Sequence, residues 1–377
     1  MRERTVLLLV LVLVITPAVA VFLPVKAFSR TLVVPDDYPT LSAAIGNATA
    51  GDTIFVKKGT YEEKTLEINK TLSLIGENVN NTIIKLYPPY NETRILSQSF
   101  FNFSNAMTIK ANNFRLSSLT IFIAAPGGYI TIIGDMAQIT GDNIITGPET
   151  GLAVSGAYCN ITDNTSGGSI VLNGFHNIIA RNSVYRITIN KDSNTINNNT
   201  ISCILLSNAN NNDVYGNNIL TATADYGVYI VGNSSNNIIH GNNILALLSD
   251  VEINSKSAEN NTFYHNNFLI KYSNEPASLY TYNLTLVNFW DNGREGNYWD
   301  DYAGTDINKD GIGDTPYVIG NGNVDNYLLM FPFDIENNTI VLSPPELFPI
   351  VPVAAAIGTS AALIGFGLLI YFKKRKR

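Results

Sequence analysis

Five segments in the middle of the chain share one pattern and superimpose without gaps. They are NIIARNSV (177–184), NTINNNTI (194–201), NDVYGNNI (212–219), NIIHGNNI (237–244) and NTFYHNNF (261–268). Each reads Asn-x-apolar-x-x-Asn-x-apolar, and two earlier segments, QITGDNII (138–145) and CNITDNTS (159–166), fit more loosely. The second Asn falls at positions 143, 164, 182, 199, 217, 242 and 266, a period of 17–25 residues. This period predicts the coils of a parallel β-solenoid, whose short strands stack about 4.8 Å apart.

The apolar positions of the pattern predict two inward-facing columns. The first is Ile161, Ile179, Ile196, Val214, Ile239 and Phe263, and the second is Val184, Ile201, Ile219, Ile244 and Phe268. The Asn positions are predicted at corners, because Asn tolerates a left-handed backbone. Stacked Asn side chains can also hydrogen-bond from coil to coil. A leucine-rich repeat has a similar period, but no Leu-x-x-Leu-x-Leu pattern recurs.

The composition agrees with an all-β fold. Of 377 residues, 48 are Asn and 28 are Gly, and only 15% are charged. Asn and Gly are poor helix formers, which argues against a helical bundle, and disorder requires a higher charge with low hydrophobicity. Two Cys and three His argue against a disulfide scaffold or a metal-rich protein.

Both ends of the chain carry apolar segments. Residues 1–29 are predicted to be a signal peptide and leader, since Arg2 and Arg4 precede an apolar run and a small-residue site at Ala18–Ala20. At the other end, a linker at 335–347 precedes a predicted transmembrane helix at 348–372 and a basic tail, KKRKR, at 373–377. The tail is expected to be cytoplasmic and the body outside. For residues 1–29 the alternative is an N-terminal membrane anchor. For residues 348–372 the alternative is a buried helix of a soluble protein.

The predicted outer body is acidic. Residues 30–346 hold 16 basic and 30 acidic residues, a surface that disfavours nucleic acid as a partner. Twelve Asn-x-Ser/Thr sequons make the body a candidate glycoprotein. The expected partners are cell-envelope glycans or surface proteins, with the membrane contacted through the C-terminal helix.

A resemblance supports the solenoid reading. The stretch TLVVPDDYPTLSAAIGNATAGDTIFVKKGTYEEKTLEINKTLSLIGEN (31–78) resembles the opening of secreted right-handed β-helix proteins of the pectin-lyase-like superfamily. It is most similar to NosD-type and archaeal surface β-helix proteins, and the likeness extends to about residue 333. The resemblance implies a right-handed parallel β-helix over residues 30–287. Thr40 to Ile45 would form a capping helix, with Thr40 as its N-cap.

A calcium-like loop follows the repeats, in a predicted cap at 288–334. Asp306, Asn308 and Asp310 place side-chain oxygens at alternate positions, Ile312 would add its carbonyl, and Asp314 would be a fifth ligand. Position twelve is Tyr317 instead of the usual Glu, so any Ca²⁺ site is expected to be structural and of modest affinity. A turn without an ion is the alternative.

Aromatic residues supply the candidate carbohydrate contacts. Trp290 and Trp299 lie in the cap, where they either stack on sugars or plug the apolar end of the solenoid. Tyr215, His240 and Tyr264 form an outward column that serves either packing or glycan binding.

Charged residues supply only weak catalytic candidates. Asp142, Asp163 and Arg181 are each placed just before the second Asn of a coil, about 5 Å apart on neighbouring coils. A solvated column of ions explains this set equally well.

The likeness to NosD, which is linked with copper-site maturation of a reductase, raises the question of copper. His176, His240 and His265 fall at three different register positions, so no copper site is predicted. Cys159 and Cys203 are expected to lie too far apart for a disulfide. The leading hypothesis is a surface-anchored, non-catalytic β-helix that binds carbohydrate or builds the envelope. A polysaccharide lyase or hydrolase and a NosD-like maturation factor are the alternatives.

Overall fold

In the residues that the structure describes, the chain forms a stack of parallel β-coils with one short helix at the N-terminal end of the stack. The computed structural model describes residues 29–89, 104–124, 128–147, 150–221, 226–246, 249–255, 257–269, 286–320 and 322–340. Within these ranges the strands form two parallel sheets and one antiparallel hairpin. The all-β parallel solenoid predicted from the repeats is therefore confirmed.

The first sheet, here called the short-strand sheet, takes one strand from each coil. Its eleven strands are Thr31–Val34, Thr53–Val56, Ser73–Gly76, Arg115–Ser117, Gln138–Thr140, Asn160–Thr162, Ile178–Ala180, Thr195–Asn197, Asp213–Tyr215, Ile238–His240 and Thr262–Tyr264.

The second sheet has eighteen strands and forms the rest of the solenoid wall. They are Gly59–Glu63, Leu66–Ile68, Thr82–Leu86, Ser104–Ile109, Thr120–Ile123, Gly128–Ile132, Asn143–Ile145, Gly151–Val154, Thr165–Ser166, Ser169–Leu172, Ser183–Ile189, Thr200–Ser207, Asn218–Leu220, Tyr226–Val231, Asn243–Leu245, Ser249–Asn254, Asn267–Phe268 and Tyr298–Trp299. The antiparallel hairpin in the cap pairs Tyr317–Gly320 with Asn323–Asp325.

The strand register places the predicted apolar columns inside the solenoid. Ile161 pairs with Ile179, and Ile179 with Ile196. Every member of the two predicted columns is buried, with at most 6% of its surface exposed. The alternation of apolar and polar residues in each three-residue strand thus sends one side chain inward and two outward, as period-two geometry requires.

Two ladders of buried Asn side chains mark the corners on either side of the short-strand sheet. The first ladder is Asn177, Asn194, Asn212, Asn237, Asn261, Asn288 and Asn323. The second ladder is Asn164, Asn182, Asn199, Asn217, Asn242, Asn266 and Asn297, and it ends on Asp325. In both, the Oδ1 atom of each rung accepts the main-chain N–H of the rung before it. Because these amides are buried, the ladders satisfy the backbone at every corner.

Before Asn164 the second ladder has one further rung, the carboxyl of Asp142, which lies one residue earlier in the chain than the sequence pattern predicts. The main-chain N–H of Asp142 donates to Asn164 Oδ1 at 3.0 Å, so Asp142 occupies the rung position that was assigned to Asn143. Gly141 then fills the left-handed corner position, with φ of 69°. The predicted register was wrong here because Asp142 and Asn143 are adjacent and either one suits a corner.

Both ends of the solenoid core are covered. The helix Leu41–Asn47 begins after the predicted N-cap Thr40, whose side chain accepts the N–H of Ala43, and it buries Leu41, Ala44 and Ile45. At the other end the rings of Trp290 and Phe263 stack with centroids 4.4 Å apart. A helix at one end and aromatic rings at the other thus keep the apolar core from water.

The described residues include no helix long and apolar enough to cross a membrane. The predicted transmembrane segment at 348–372, the basic tail and residues 1–28 of the predicted leader lie outside the described residues.

Candidate functional site

The outward column Tyr215, His240 and Tyr264 is built by strand register. The three residues end successive short strands and pair directly with one another. The ring centroids of Tyr215 and His240 are 5.1 Å apart, and those of His240 and Tyr264 are 4.9 Å apart with planes tilted by only 4°. All three side chains are half-buried. We refer to these three residues as the aromatic stack.

Polar groups hold the edges of the aromatic stack. Asn197 Nδ2 donates to the Tyr215 hydroxyl at 3.2 Å, and His240 Nε2 lies 3.2 Å from Asp213 Oδ1. Burial raises the pKa of Tyr264, and the negative charge of Asp213 raises it further. Its hydroxyl is therefore a neutral donor and acceptor at physiological pH.

This geometry decides what the aromatic stack can bind. Because each ring covers the face of its neighbour, sugar C–H groups cannot reach the inner ring faces. The stack instead presents ring edges, with two phenol hydroxyls and one imidazole, beside the exposed apolar side chains of Ile238 and Phe289. Such a surface can hydrogen-bond to hydroxyl groups and pack against apolar patches of a ligand.

The two cap tryptophans are structural in this fold. Trp290 and Trp299 are each 1% exposed, and their indole N–H groups donate to Asn323 Oδ1 and Asp325 Oδ2. Neither indole face is open to a sugar, so the predicted carbohydrate contact through these residues is replaced by the end-plug alternative.

The three catalytic candidates do not come together as predicted. Asp163 and Arg181 form a two-point ion pair at 2.7 and 2.8 Å, in which Arg181 lowers the pKa of the carboxyl. Asp142 belongs to the Asn ladder, is 2% exposed, and has its pKa raised to about 7 by burial. The three residues therefore form one surface ion pair, Asp163 with Arg181, and one separate buried carboxyl, Asp142.

The calcium-like loop is closed by its own side chains. Asp306 accepts the N–H groups of Asp310 and Gly311, Asn308 also accepts from Asp310, and Asp310 accepts from Ile312. Asp314 Oδ2 instead accepts from Thr305 and from Ile307. Within the described residues no three His, Cys, Asp or Glu side chains converge as a metal site. Calcium binding by this loop stays a prediction.

The strand order, register and corners define a parallel β-helix of the pectin-lyase-like type. A family model described as "Periplasmic copper-binding protein (NosD)" matches residues 45–304, and the chain belongs to this family. The similarity stated from residues 31–78 is thereby confirmed. No curated protein matches the chain.

Solved structures are similar to this chain at low sequence identity and low TM-score. The Dettilon tailspike protein gp208 is 12% identical with a TM-score of 0.44, over 63% of this chain and 62% of that chain. The chain thus spans less than two thirds of the tailspike. Pectin methylesterase PemA from Erwinia chrysanthemi is 15% identical, with a TM-score of 0.29 over 58% and 81% of the two chains. The A-module of mannuronan C-5 epimerase AlgE6 from Azotobacter vinelandii is 15% identical, with a TM-score of 0.36 over 66% and 91%.

The family description names copper binding, but in the part of the chain that the structure describes the three His and two Cys side chains do not form a copper site. The Nε2 atoms of His240 and His265 face Asp213 and Glu295, while His176 stacks on Tyr158. Cys159 and Cys203 are separate, buried free thiols whose pKa is raised by burial. Copper prefers several soft ligands at one point, and these five side chains are dispersed over the solenoid.

One exposed aromatic pair was not predicted from the sequence. Tyr158 and His176 stack with centroids 4.9 Å apart at a corner of the short-strand sheet. Each comes directly before a residue that occupies the first ladder position, Cys159 and Asn177. The position directly before the first ladder residue could have identified this pair from the sequence. Residues 159–166 fit the repeat only loosely, so the pair was not recognised.

Proposed function

We propose that this protein is an extracytoplasmic, non-catalytic β-helix that binds glycans of the cell envelope and is anchored by its C-terminal apolar segment. The observation that carries the proposal is the aromatic stack. It offers hydroxyl and imidazole edges in a fixed row, beside exposed apolar side chains, on a regular parallel sheet. Rigid arrays of this kind suit ligands that present many hydroxyl groups.

The charges near the aromatic stack favour a neutral glycan. Asp213 lies against His240, and Glu295 Oε2 lies 2.6 Å from His265 Nε2 at the adjoining corner. The body as a whole is acidic, with 30 acidic and 16 basic residues between positions 30 and 346. Like charges repel, so a polyuronate is a poorer ligand for this face than an uncharged polysaccharide.

The state of the acidic candidates supports a binding role over catalysis. A general acid or base must reach its substrate and exchange protons with it. Asp142 is enclosed in the core, and both carboxylate oxygens of Asp163 already accept hydrogen bonds from Arg181, which lower the pKa of that carboxyl. A polysaccharide lyase or hydrolase remains the alternative, and it would show itself by releasing unsaturated or reducing sugars.

Affinity electrophoresis of the full chain in gels containing mannan, galactan, dextran or polygalacturonate tests the proposal. We expect retardation by a neutral polysaccharide, and its loss in Tyr215→Ala and in Tyr264→Ala. The exposed Tyr87→Ala, far from the aromatic stack in sequence, is the matched control and should bind normally. No retardation by any of these polysaccharides would overturn the proposal. Sugar release that Asp163→Ala abolishes would replace it with the enzymatic alternative.

Family membership favours one second candidate, a NosD-like role in maturing an envelope protein. A gene neighbourhood that includes a nitrous-oxide reductase operon would favour this candidate over glycan binding.

A further inference from the structure

The corner that precedes the short-strand sheet carries an unusual set of residues. In eight successive coils, from that of Asn113 to that of Asn260, the residue before the first ladder position has a left-handed backbone. The later coils use Ser193, Asn211, Asn236 and Asn260 there, with φ between 56° and 60°. Three earlier coils use Met136, Tyr158 and His176, with φ of 56°, 57° and 57°. We call these three residues the corner column.

The corner column is strained without being buried. A left-handed backbone crowds a Cβ atom, and Asn tolerates this conformation better than Met or Tyr. Burial of a large side chain would offset that cost, but Tyr158 is 61% exposed and Met136 is 48% exposed. His176 is exposed as well. Backbone strain that packing does not explain is typical of functional sites.

The corner column lies within a larger exposed apolar patch. Phe175 and Ile178 are each 44% exposed on the coil of His176, and Ile133 is 47% exposed on the coil of Met136. The Nζ atom of Lys191 lies 5.6 Å from the centre of the Phe175 ring. Several exposed apolar side chains on three successive coils at one corner indicate a binding surface.

One face of the His176 ring has an aromatic neighbour, and the residue in register beyond its other face is small. Tyr158 covers one face of His176, with ring planes tilted by 12°. The next residue along the corner is Ser193, whose side chain is too short to cover the other face. Amides border the patch, since Asn160 is exposed and Asn190 Nδ2 donates to Asn173 Oδ1 at 2.9 Å.

We propose that the corner column is a second saccharide site, which takes one uncharged sugar ring of a polysaccharide against the His176 and Tyr158 rings. This inference rests on the proposed function and extends it. An open aromatic face accepts the C–H groups of a pyranose, and neighbouring amides pair with its hydroxyls. His176 and Tyr215 belong to coils two strand spacings apart, about 10 Å along the axis. One glycan chain can therefore contact both sites on the same sheet.

Variants that relieve the strain test the proposal without risk to the fold. Asn already occupies this corner in later coils, so Tyr158→Asn and His176→Asn should keep or raise the melting temperature of the full chain. In gels containing mannan, galactan or dextran, we expect the double variant to bind the retarding polysaccharide about ten-fold more weakly. Asn236→Ser, at the same corner position two coils beyond Ser193, is the matched control and should bind as wild type does.

The outcomes separate this inference from the proposed function. Wild-type affinity in the double variant, together with loss of binding in Tyr264→Ala, would overturn the corner site and leave the proposed function in place. Loss of binding in the double variant, with normal binding in Tyr264→Ala, would support the corner site and move the proposed function away from the aromatic stack. A wild-type chain that none of these polysaccharides retards would overturn both.

Discussion

Replacing Asp142 by Asn should stabilise the protein. Asp142 occupies the first rung of the second ladder, where its Oδ1 accepts the N–H of Leu119 at 2.9 Å. Its Oδ2 is buried and has no hydrogen-bond partner. In the next rung, the corresponding atom is Asn164 Nδ2, which donates to Asn182 Oδ1 and to the carbonyl of Ile139. By the same register, Asp142 Oδ2 faces acceptors, and only a protonated carboxyl or an amide can donate to them.

The expected size of the effect follows from this geometry. A buried polar atom without a partner costs about 1–3 kcal/mol. A pKa moved from 3.8 to about 7 by burial gives an upper figure of about 4 kcal/mol, at about 1.36 kcal/mol for each pH unit. We therefore expect Asp142→Asn to raise the free energy of unfolding by about 2 kcal/mol at pH 8. The melting temperature should rise by about 2–4 °C for each kcal/mol.

The gain should depend on pH in a defined direction. Between pH 3.8 and about 7 the folded chain keeps a proton on Asp142 that the unfolded chain has released. The contribution of Asp142 is therefore complete below pH 3.8 and is lost as the pH rises to about 7. Asn carries no such proton, so the difference between variant and wild type should be small at pH 4 and largest at pH 8.

Thermal unfolding of both full-length chains, followed by circular dichroism at pH 4, 6 and 8, measures this difference. Asp325→Asn is the comparison at the other end of the ladder, where burial also raises the pKa to about 7 but both carboxyl oxygens accept N–H groups, from Asn297, Trp299 and Tyr327. An amide has only one acceptor oxygen, so this variant should lose about 1–3 kcal/mol. An equal gain for Asp142→Asn at all three pH values, or a loss at pH 8, would refute the reasoning.

Three further predictions concern the ladder, the loop and the ion pair. Asn217→Ala should lower the free energy of unfolding in urea by about 2–4 kcal/mol, because it leaves the buried main-chain N–H of Asn199 without an acceptor and the Ile196 carbonyl without the donor Nδ2. A change below about 1 kcal/mol, the scale of one exposed bond, would contradict this. EGTA should lower the melting temperature of the full chain, and Asp310→Ala should remove that response. An unchanged wild-type melting curve in EGTA would contradict calcium binding by the loop. Asp163→Ala should change the free energy of unfolding by less than about 1 kcal/mol, because its ion pair with Arg181 is exposed. A larger loss of stability in thermal melts would show that this ion pair stabilises the packing of two coils.

The repeat positions made the fold predictable. Ile179 and Ile196 recur with Asn at fixed offsets, and each coil must bury the same inward position because strands stack in register. The same regularity failed at Asp142, because Gly141 supplies the left-handed corner and the ladder accepts Asp in place of Asn. Local chemistry at a corner does not distinguish two adjacent side chains that can both accept an N–H.

The candidate site was only partly predictable. The column that contains His240 follows from period-two alternation, so its stacking could be foreseen. Whether a ring face is open depends on the residue in the next coil, which differs between His240, followed by Tyr264, and His176, followed by Ser193. The burial of Trp299 depends on how the cap folds back on the last coil, and no repeat pattern encodes that step.

The side-chain amides of the second ladder all point the same way. Each Nδ2 donates both to the next rung toward the C-terminal end and to a main-chain carbonyl of the preceding coil, as in Asn164 and Asn266. Each rung therefore joins three successive coils. This arrangement does not depend on how many rungs lie between the ends. Whole coils can be gained or lost by duplication or deletion, while a single acidic cap such as Asp325 serves a solenoid of any length.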